Sequence, residues 1–79
     1  MSGTEFRRWS LADLRNAEEH VRRGSQVIAD QKRRIDQLEE EGEDTFDARS
    51  TLGLMEQMQL QVVEDFEKVT AALRERQNA

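Results

Sequence analysis

The sequence predicts an all-α fold: an antiparallel two-helix hairpin, coiled-coil-like, that dimerises into a four-helix bundle. Apolar residues recur every three, four or seven positions in both halves of the chain, a spacing that places them on one stripe of a helix. A short acidic segment separates the halves, and the 79 residues contain no proline to interrupt a helix. Two striped helices joined by a short polar turn form a helical hairpin.

Each half of the chain carries one apolar stripe. The first stripe consists of Leu14, Val21, Ile28 and Ile35. The second stripe consists of Leu52, Met55, Val62, Phe66, Val69 and Leu73. When the stripes are matched along an antiparallel pair, Gly24 faces Val62 and Ile28 faces Gln59. Every stripe position then finds a partner, which favours one hairpin over two separate helices.

Small and polar residues interrupt the seam between the two helices. Gly24 and Ala17 flank the layer of Phe66, where small residues give the bulky ring room. Gln31 and Gln59 also fall on the seam, and we expect their side chains to hydrogen-bond across it and to fix the register.

The length of the chain allows one small domain, which a glycine-containing turn divides into two helices. Ser10 predicts the start of helix 1 as its N-cap, and Asp13 completes a capping box. Gly42 suits the C′ position after this helix, and Asp44 or Thr45 opens the second one. The predicted segments are an arm over 1–9 and a hairpin over 10–79, with helix 1 at about 10–41, a turn at about 42–44 and helix 2 at about 45–77.

Composition limits the classes of function. The formal net charge is −5, with most bases in the first half and a cluster of acids at the turn, which argues against broad binding of nucleic acid. No cysteine is present for a disulfide or a cysteine metal site. No stretch reaches the roughly 20 apolar residues of a membrane span, and no apolar signal segment is visible, so the expected location is cytoplasmic.

No catalytic, cofactor or metal site is predicted. The single histidine, His20, lacks the glutamate three residues earlier that a di-iron hairpin requires. The acidic turn departs from the spacing of an EF-hand loop, and two long helices offer no concave pocket of the usual size. We therefore expect a protein that is not an enzyme and that binds no cofactor.

Helix 2 carries more apolar residues, on both sides of its seam, than one neighbouring helix can cover. Helix 1 adds Leu11 and Val27, and the arm adds Phe6 and Trp9. Exposed apolar surface of this extent marks an interface, so the sequence predicts a homo-oligomer, with a dimer favoured. An unidentified protein partner is the other possible occupant. The predicted function is protein–protein interaction or regulation through helix packing. The candidate interaction residues are Leu54, Met58, Leu60, Val63 and Trp9.

The turn and the middle of helix 1 carry a pattern that resembles a group of small, uncharacterised alphaproteobacterial helical-hairpin proteins. That group has a Gly-x-Asp-Thr turn, a following Ala, Arg, Leu and Glu, and a His-Val-x-x-Gly segment. The resemblance covers most of the chain and implies the hairpin fold, but it implies no activity. The matching residues are Gly42, Asp44, Thr45, Ala48, Arg49, Leu52, Glu56, His20, Val21 and Gly24.

The segment around His20 is also similar to the histidine-phosphotransfer motif, which implies a phosphotransfer-like signalling protein as the alternative function. A neutral imidazole can accept a phosphoryl group. Arg23, one turn away, can neutralise the added charge, and Gly24 clears space for a partner domain. A histidine on the solvated flank of the helix is the plainer interpretation.

A run of bases on helix 1 suggests a second alternative, a Rop-like hairpin dimer that binds RNA. The run comprises Arg22, Arg23, Lys32, Arg33 and Arg34. Acids lie among these bases, and the run contains no aromatic side chain for base stacking. We therefore expect a solvated face with ion pairs between helical neighbours, and nucleic acid as a partner is not expected. The expected pairs are Glu18–Arg22, Glu19–Arg23 and Asp30–Arg34.

Overall fold

The computed structural model describes residues 9–78, and of the predicted arm only Trp9 lies within that range. Helix α1 spans Leu11–Glu40 and helix α2 spans Phe46–Asn78, with no strand in this part of the chain. The helices pack against each other, so the predicted all-α hairpin is confirmed. The hairpin measures 57 × 25 × 16 Å. Since a helix with its side chains is about 10–12 Å across, the molecule is a single layer.

The first turn of α1 is closed by a capping box, as the sequence predicts. The backbone N–H of Asp13 donates to the Ser10 hydroxyl at 3.2 Å, and the backbone N–H of Ser10 donates to the Asp13 carboxylate at 2.8 Å. Each side chain therefore satisfies a backbone donor that the helix itself leaves unpaired.

The C-terminal end of α1 is a Schellman motif built on Gly42. This glycine has φ +73°, the left-handed conformation that a side chain disfavours. Its N–H donates to the Glu39 carbonyl at 3.1 Å, and the N–H of Glu43 donates to the Leu38 carbonyl at 2.8 Å. The motif pairs the last carbonyls of α1 and reverses the chain.

Asp44 and Thr45 share the capping of α2. The Asp44 carboxylate accepts from the backbone N–H of Phe46 at 2.9 Å, whereas the Thr45 carbonyl accepts the first helical bond, from the N–H of Arg49 at 2.9 Å. Arg49 also forms an ion pair with Glu39 across the turn. Both side chains of this pair are about half exposed, so it adds at most about 1 kcal/mol.

The predicted stripes form the seam between α1 and α2. All stripe side chains are buried or half-buried, as the heptad spacing requires. Among the described residues, only Ile35 and Val69 are buried, with 4% and 3% of their surface exposed. Because each helix has a single neighbour, the seam is open along both edges and the core stays small.

The two seam glutamines each hydrogen-bond to the backbone of the opposite helix. The amide of Gln59 donates to the Val21 carbonyl at 2.9 Å and approaches the Ser25 hydroxyl at 3.3 Å. The amide of Gln31 donates to the Ala48 carbonyl at 2.8 Å. The expected hydrogen bonds across the seam are present. Their acceptors are main-chain carbonyls that also accept a hydrogen bond within their own helix, since a carbonyl oxygen has two lone pairs.

The Gln59 side chain lies against Gly24, one turn from Ile28, which the sequence placed opposite it. Gly24 and Val62, Val21 and Phe66, and Ala17 and Val69 nevertheless line common grooves, as the predicted register requires. A Cβ atom built on Gly24 would lie 1.8 Å from the Gln59 side-chain oxygen. Gly24 therefore makes room for the amide of Gln59, and the predicted role of giving space to Phe66 is corrected. An apolar seam tolerates a slip of one turn, whereas this contact between an amide and a glycine favours a single register.

Replacing Gly24 with alanine is expected to stabilise the hairpin only when Gln59 has been shortened. In the wild type the new methyl group displaces the Gln59 amide, and the lost hydrogen bonds offset the roughly 1 kcal/mol that alanine adds in helix propensity. In a Gln59→Ala background, Gly24→Ala should add about 1 kcal/mol. Urea unfolding of the four variants at one protein concentration measures this coupling. Equal effects in both backgrounds would contradict the contact.

Two other glycines should respond to alanine in opposite directions. An added Cβ meets nothing within 4 Å at either Gly53 or Gly42, so steric clash does not distinguish the two substitutions. Gly53 lies inside α2, and Gly53→Ala should raise the free energy of unfolding by about 1 kcal/mol. Gly42 needs the left-handed conformation, so Gly42→Ala should lower it by about 1–2 kcal/mol. Urea denaturation measures both, and a stabilising Gly42→Ala would refute the turn.

Candidate functional site

Apolar side chains outside the seam stay exposed in the hairpin. The most exposed ones among the described residues lie mainly on α2, and each shows about half or more of its surface. Surface of this kind is costly to leave in water unless something covers it. The exposed large apolar residues are Leu11, Val27, Phe46, Leu54, Met58 and Leu60.

One group of these residues lies along one edge of the hairpin. Val27 of α1 and Met58 of α2 line an open groove of about 220 Å³ together with His20. Leu54 is one turn from Met58 on the same side of α2, and Asp65 borders the adjacent groove beside His20. We call this surface the His20 face. It consists of His20, Arg23, Val27, Leu54, Met58 and Asp65.

The other candidate residues of α2 lie on the opposite edge. Leu60 is separated from Met58 by about 200° around the helix axis. It is 67% exposed, whereas Val63, one turn further along, is half-buried. We call Leu60 and Val63 the Leu60 face. The predicted interaction residues of α2 are therefore divided between two surfaces that point in opposite directions.

Trp9 belongs to the end of the His20 face. Its half-buried side chain borders a groove that Ala17 and Val69 also line. Its backbone carbonyl accepts a hydrogen bond from the guanidinium of Arg76, which ties the start of α1 to the end of α2. The indole thus extends the apolar surface of this face toward the open end of the hairpin. Phe6, which the sequence places with Trp9, lies outside the described residues.

The residues of the phosphotransfer hypothesis lie close together, but they are arranged differently from what that chemistry needs. His20 is exposed, as a phosphoryl acceptor must be. Arg23, however, is hydrogen-bonded to Glu19 at 2.9 Å. Gly24 faces the seam, where the Gln59 side chain fills the space beside it, so it clears no room for a partner domain.

The basic run on α1 is partly neutralised by acids of the same helix. Glu19 pairs with both Arg22 and Arg23, and Asp30 pairs with Arg33. The predicted Glu19–Arg23 pair is present, whereas Arg22 bonds to Glu19 rather than to Glu18. Such pairing lowers the positive potential that attraction of a phosphate backbone requires.

The Glu19 carboxylate is the group whose titration is most clearly altered. The hydrogen bond from Arg22, and then the one from Arg23, lower the pKa of Glu19 below its ordinary value of 4.5. The same contact raises the pKa of the Arg22 guanidinium further. Both side chains are on the surface, so this cluster fixes the local charge pattern and contributes little to stability.

Sequence reasoning placed the apolar surplus of helix 2 on both sides of its seam but did not assign each residue to one side. Val27 and Asp65 were not singled out as site residues, although both border the grooves around His20. The heptad pattern contains this information. In an antiparallel pair, the residues that immediately precede seam positions in the sequence of either helix lie on the same side of the hairpin. A count of apolar residues that does not assign each one to a side of the seam does not show how they are divided.

Within residues 9–78, no three side chains of the metal-binding kind converge. The described parts of α1 and α2 also include no apolar stretch of the length and hydropathy that crossing a membrane demands. The grooves along both edges are open to solvent and shallow, which suits contact with another helix better than enclosure of a small molecule.

Comparison with known proteins adds no relative. No protein-family model matches the chain, and neither the curated proteins nor the solved structures give a match. The resemblance to alphaproteobacterial hairpin proteins and the similarity around His20 therefore stay predictions.

The pKa of Glu19 should depend on its two arginines. Because the pKa of Glu19 is lowered in the folded chain, its ion pairs stabilise the fold at pH values above the unfolded pKa near 4.5. This contribution is lost as the pH falls through the pKa of the folded chain. A carboxyl-detected NMR titration should find the wild-type pKa below 4.5, and it should return toward 4.5 in an Arg22→Ala, Arg23→Ala variant. An unchanged pKa in that variant would contradict the ion-pair cluster.

Proposed function

We propose that this protein is a non-enzymatic interaction or regulatory protein that acts through helix packing and that pairs with a second copy of itself as a dimeric four-helix bundle. The observation that carries the proposal is the exposed apolar surface of α2. Leu54 and Met58 expose 63% and 69% of their surfaces in the single hairpin. Contact with further helices is the usual way for an amphipathic helix to bury such residues.

The polar seam supports a defined assembly rather than loose association. Gln59 and Gly24 hold the helices in one register, and a fixed register presents the exposed side chains in a fixed pattern. A surface of fixed pattern can be complementary to one partner and not to others. The proposed biological target is a protein that is recognised by the same helix packing.

Light scattering on a sizing column should give twice the mass of one chain. Replacing the exposed residues of α2 by glutamine, in the variant Leu54→Gln, Met58→Gln, Leu60→Gln, removes apolar area from the interface. Because each such side chain contributes about 1.5–3 kcal/mol when buried, the dimer should weaken by at least about 100-fold. The expected result is a monomer with unchanged helix content by circular dichroism.

A substitution on the outer surface of α2 provides the control. Gln57 is exposed and lies on the outer side of α2, between the two apolar faces, so Gln57→Ala should leave the dimer intact. A wild-type chain that stays monomeric at high protein concentration would refute the self-association. If Gln57→Ala dissociated the dimer as well, the apolar faces would not be its cause.

A further inference from the structure

We infer that Gly42 decides between two pairings of the same helices. One is the hairpin, and the other is an exchanged dimer in which α1 of each chain packs on α2 of a second copy. In the exchanged dimer the turn becomes helical, and two continuous helices run antiparallel along one seam. The inference concerns the seam and not the exposed edges, so it does not rest on the proposed four-helix bundle. Three features carry it: the phase of the seam residues, the contacts across the seam, and the construction of the turn.

The seam residues keep one heptad phase through the turn. Nine positions spaced seven residues apart are all half-buried, four of them in α1, four in α2 and one between the helices. A hairpin does not require this continuity, because a turn can join two stripes in any phase. A single helix does require it, because only residues in phase stay on one side over many turns. The series is Ala17, Gly24, Gln31, Leu38, Thr45, Leu52, Gln59, Phe66 and Leu73.

The other seam residues stay beside this series in a continuous helix. Each of them, such as Ile35 or Met55, stands three positions from a member of the series. They precede the series in α1 and follow it in α2, so the stripe shifts by less than a quarter turn around the helix at the centre. A long helix can therefore present the stripes of α1 and α2 to one partner.

An exchanged dimer repeats the contacts of the hairpin seam. The hydrogen bonds from Gln59 to the Val21 carbonyl and from Gln31 to the Ala48 carbonyl join α1 to α2. Each of these bonds forms twice in the exchanged dimer, and Gln59 again lies beside Gly24. Because both forms bury the same seam, its burial favours neither of them. The difference between the forms lies in the turn and in the cost of bringing two chains together.

The turn of the hairpin depends on one residue in a conformation that a helix excludes. Gly42, with φ +73°, has the only positive φ among the described residues, whereas Glu41 before it already has helical angles of φ −85° and ψ −2°. The sequence contains no proline that would interrupt a continuous helix. In that helix the N–H groups of Gly42 and Glu43 donate to carbonyls four residues earlier, in place of the bonds of the Schellman motif. These donors stay paired in both forms.

A side chain at position 42 shifts the balance toward exchange. Gly42→Ala disfavours the left-handed conformation of the hairpin and favours a helix through the same position. An exchanged dimer gains this difference twice, once for each chain, so its association constant should rise by at least about 100-fold. At low protein concentration the variant remains a weakened hairpin, since pairing within one chain then prevails.

The acidic residues of the turn oppose exchange. Six acids and no base lie between positions 39 and 47. Exchange places this segment of each chain beside that of the other at the centre of the dimer, where like charges repel. Salt screens this repulsion, so exchange should strengthen when the ionic strength rises from about 0.01 M to about 0.15 M.

The distance between two labels on one chain distinguishes the pairings. The chain has no cysteine, so Arg15→Cys with Arg74→Cys attaches one spin label near the start of α1 and one near the end of α2. Labelled chains are diluted into an excess of unlabelled chains with the same turn, so that only distances within one chain are observed. A hairpin should give a distance within about 25 Å, since packed helices are about 8–10 Å apart. In the exchanged dimer the labels lie about 90 Å apart on one helix.

In Gly42→Ala at high protein concentration, the short distance should disappear, and light scattering should give twice the mass of one chain. Both are measured in the Leu54→Gln, Met58→Gln, Leu60→Gln background, which weakens the edge contacts and leaves the seam residues unchanged. Gly53→Ala makes the same chemical change inside α2, and as the matched control it should keep the short distance. A Gly42→Ala chain that keeps the short distance at every concentration overturns the inference. So does one that loses its helix content by circular dichroism without doubling its mass.

The exchange and the four-helix bundle fail on different results. A wild-type chain that is monomeric by light scattering refutes the bundle and has no bearing on the exchange. A wild-type dimer with the short label distance supports the bundle, and the exchange is overturned if Gly42→Ala also keeps that distance. An exchanged dimer that weakens as the salt concentration rises contradicts the placement of both turns at its centre.

Discussion

Each helix of this protein has a single neighbour, and that constraint accounts for most of the structure. One neighbour covers one stripe, so the heptad residues become buried or half-buried and the apolar residues beside the stripe remain in water. Only Ile35 and Val69 lose nearly all of their exposure among the described residues. A core this small stabilises a domain only weakly. Burial of the apolar side chains at the exposed edges is therefore where an assembly would gain most stabilisation.

The polar contact between the helices gives specificity where the apolar seam alone would not. A stripe of aliphatic side chains can slide by one turn at little cost, because each turn offers similar surface. The Gln59 amide fills the space beside Gly24, where it also reaches the carbonyl of Val21. The hydrogen bond contributes about 1 kcal/mol, and a Cβ at position 24 would collide with this amide. The same contact makes the glycine of the phosphotransfer-like segment a structural residue.

Charge on the surface is balanced locally and does not by itself select a partner. On the outer side of α1, Glu19 is bonded to Arg22 and Arg23, so positive charge is balanced within one turn. On the His20 face, acids and bases stand on both helices, because Asp30 follows Arg23 by seven residues and Lys68 follows Asp65 by three. The proposed role in helix packing therefore rests on the exposed apolar side chains.

The sequence by itself determined the two helices, the cap at Ser10, the glycine turn and the identity of the seam residues. These follow from local rules, since capping, left-handed turns and heptad spacing act within a few residues. Only the tertiary structure decided that the Gln59 amide fills the space beside Gly24 and that His20, Val27 and Met58 line one groove. Gln59 and Gly24 are far apart in sequence, and their contact depends on how the helices slide and how closely they approach. Helical spacing already separates Leu54 from Leu60 around α2, and the position of α1 between them decides which edge of the hairpin each one occupies.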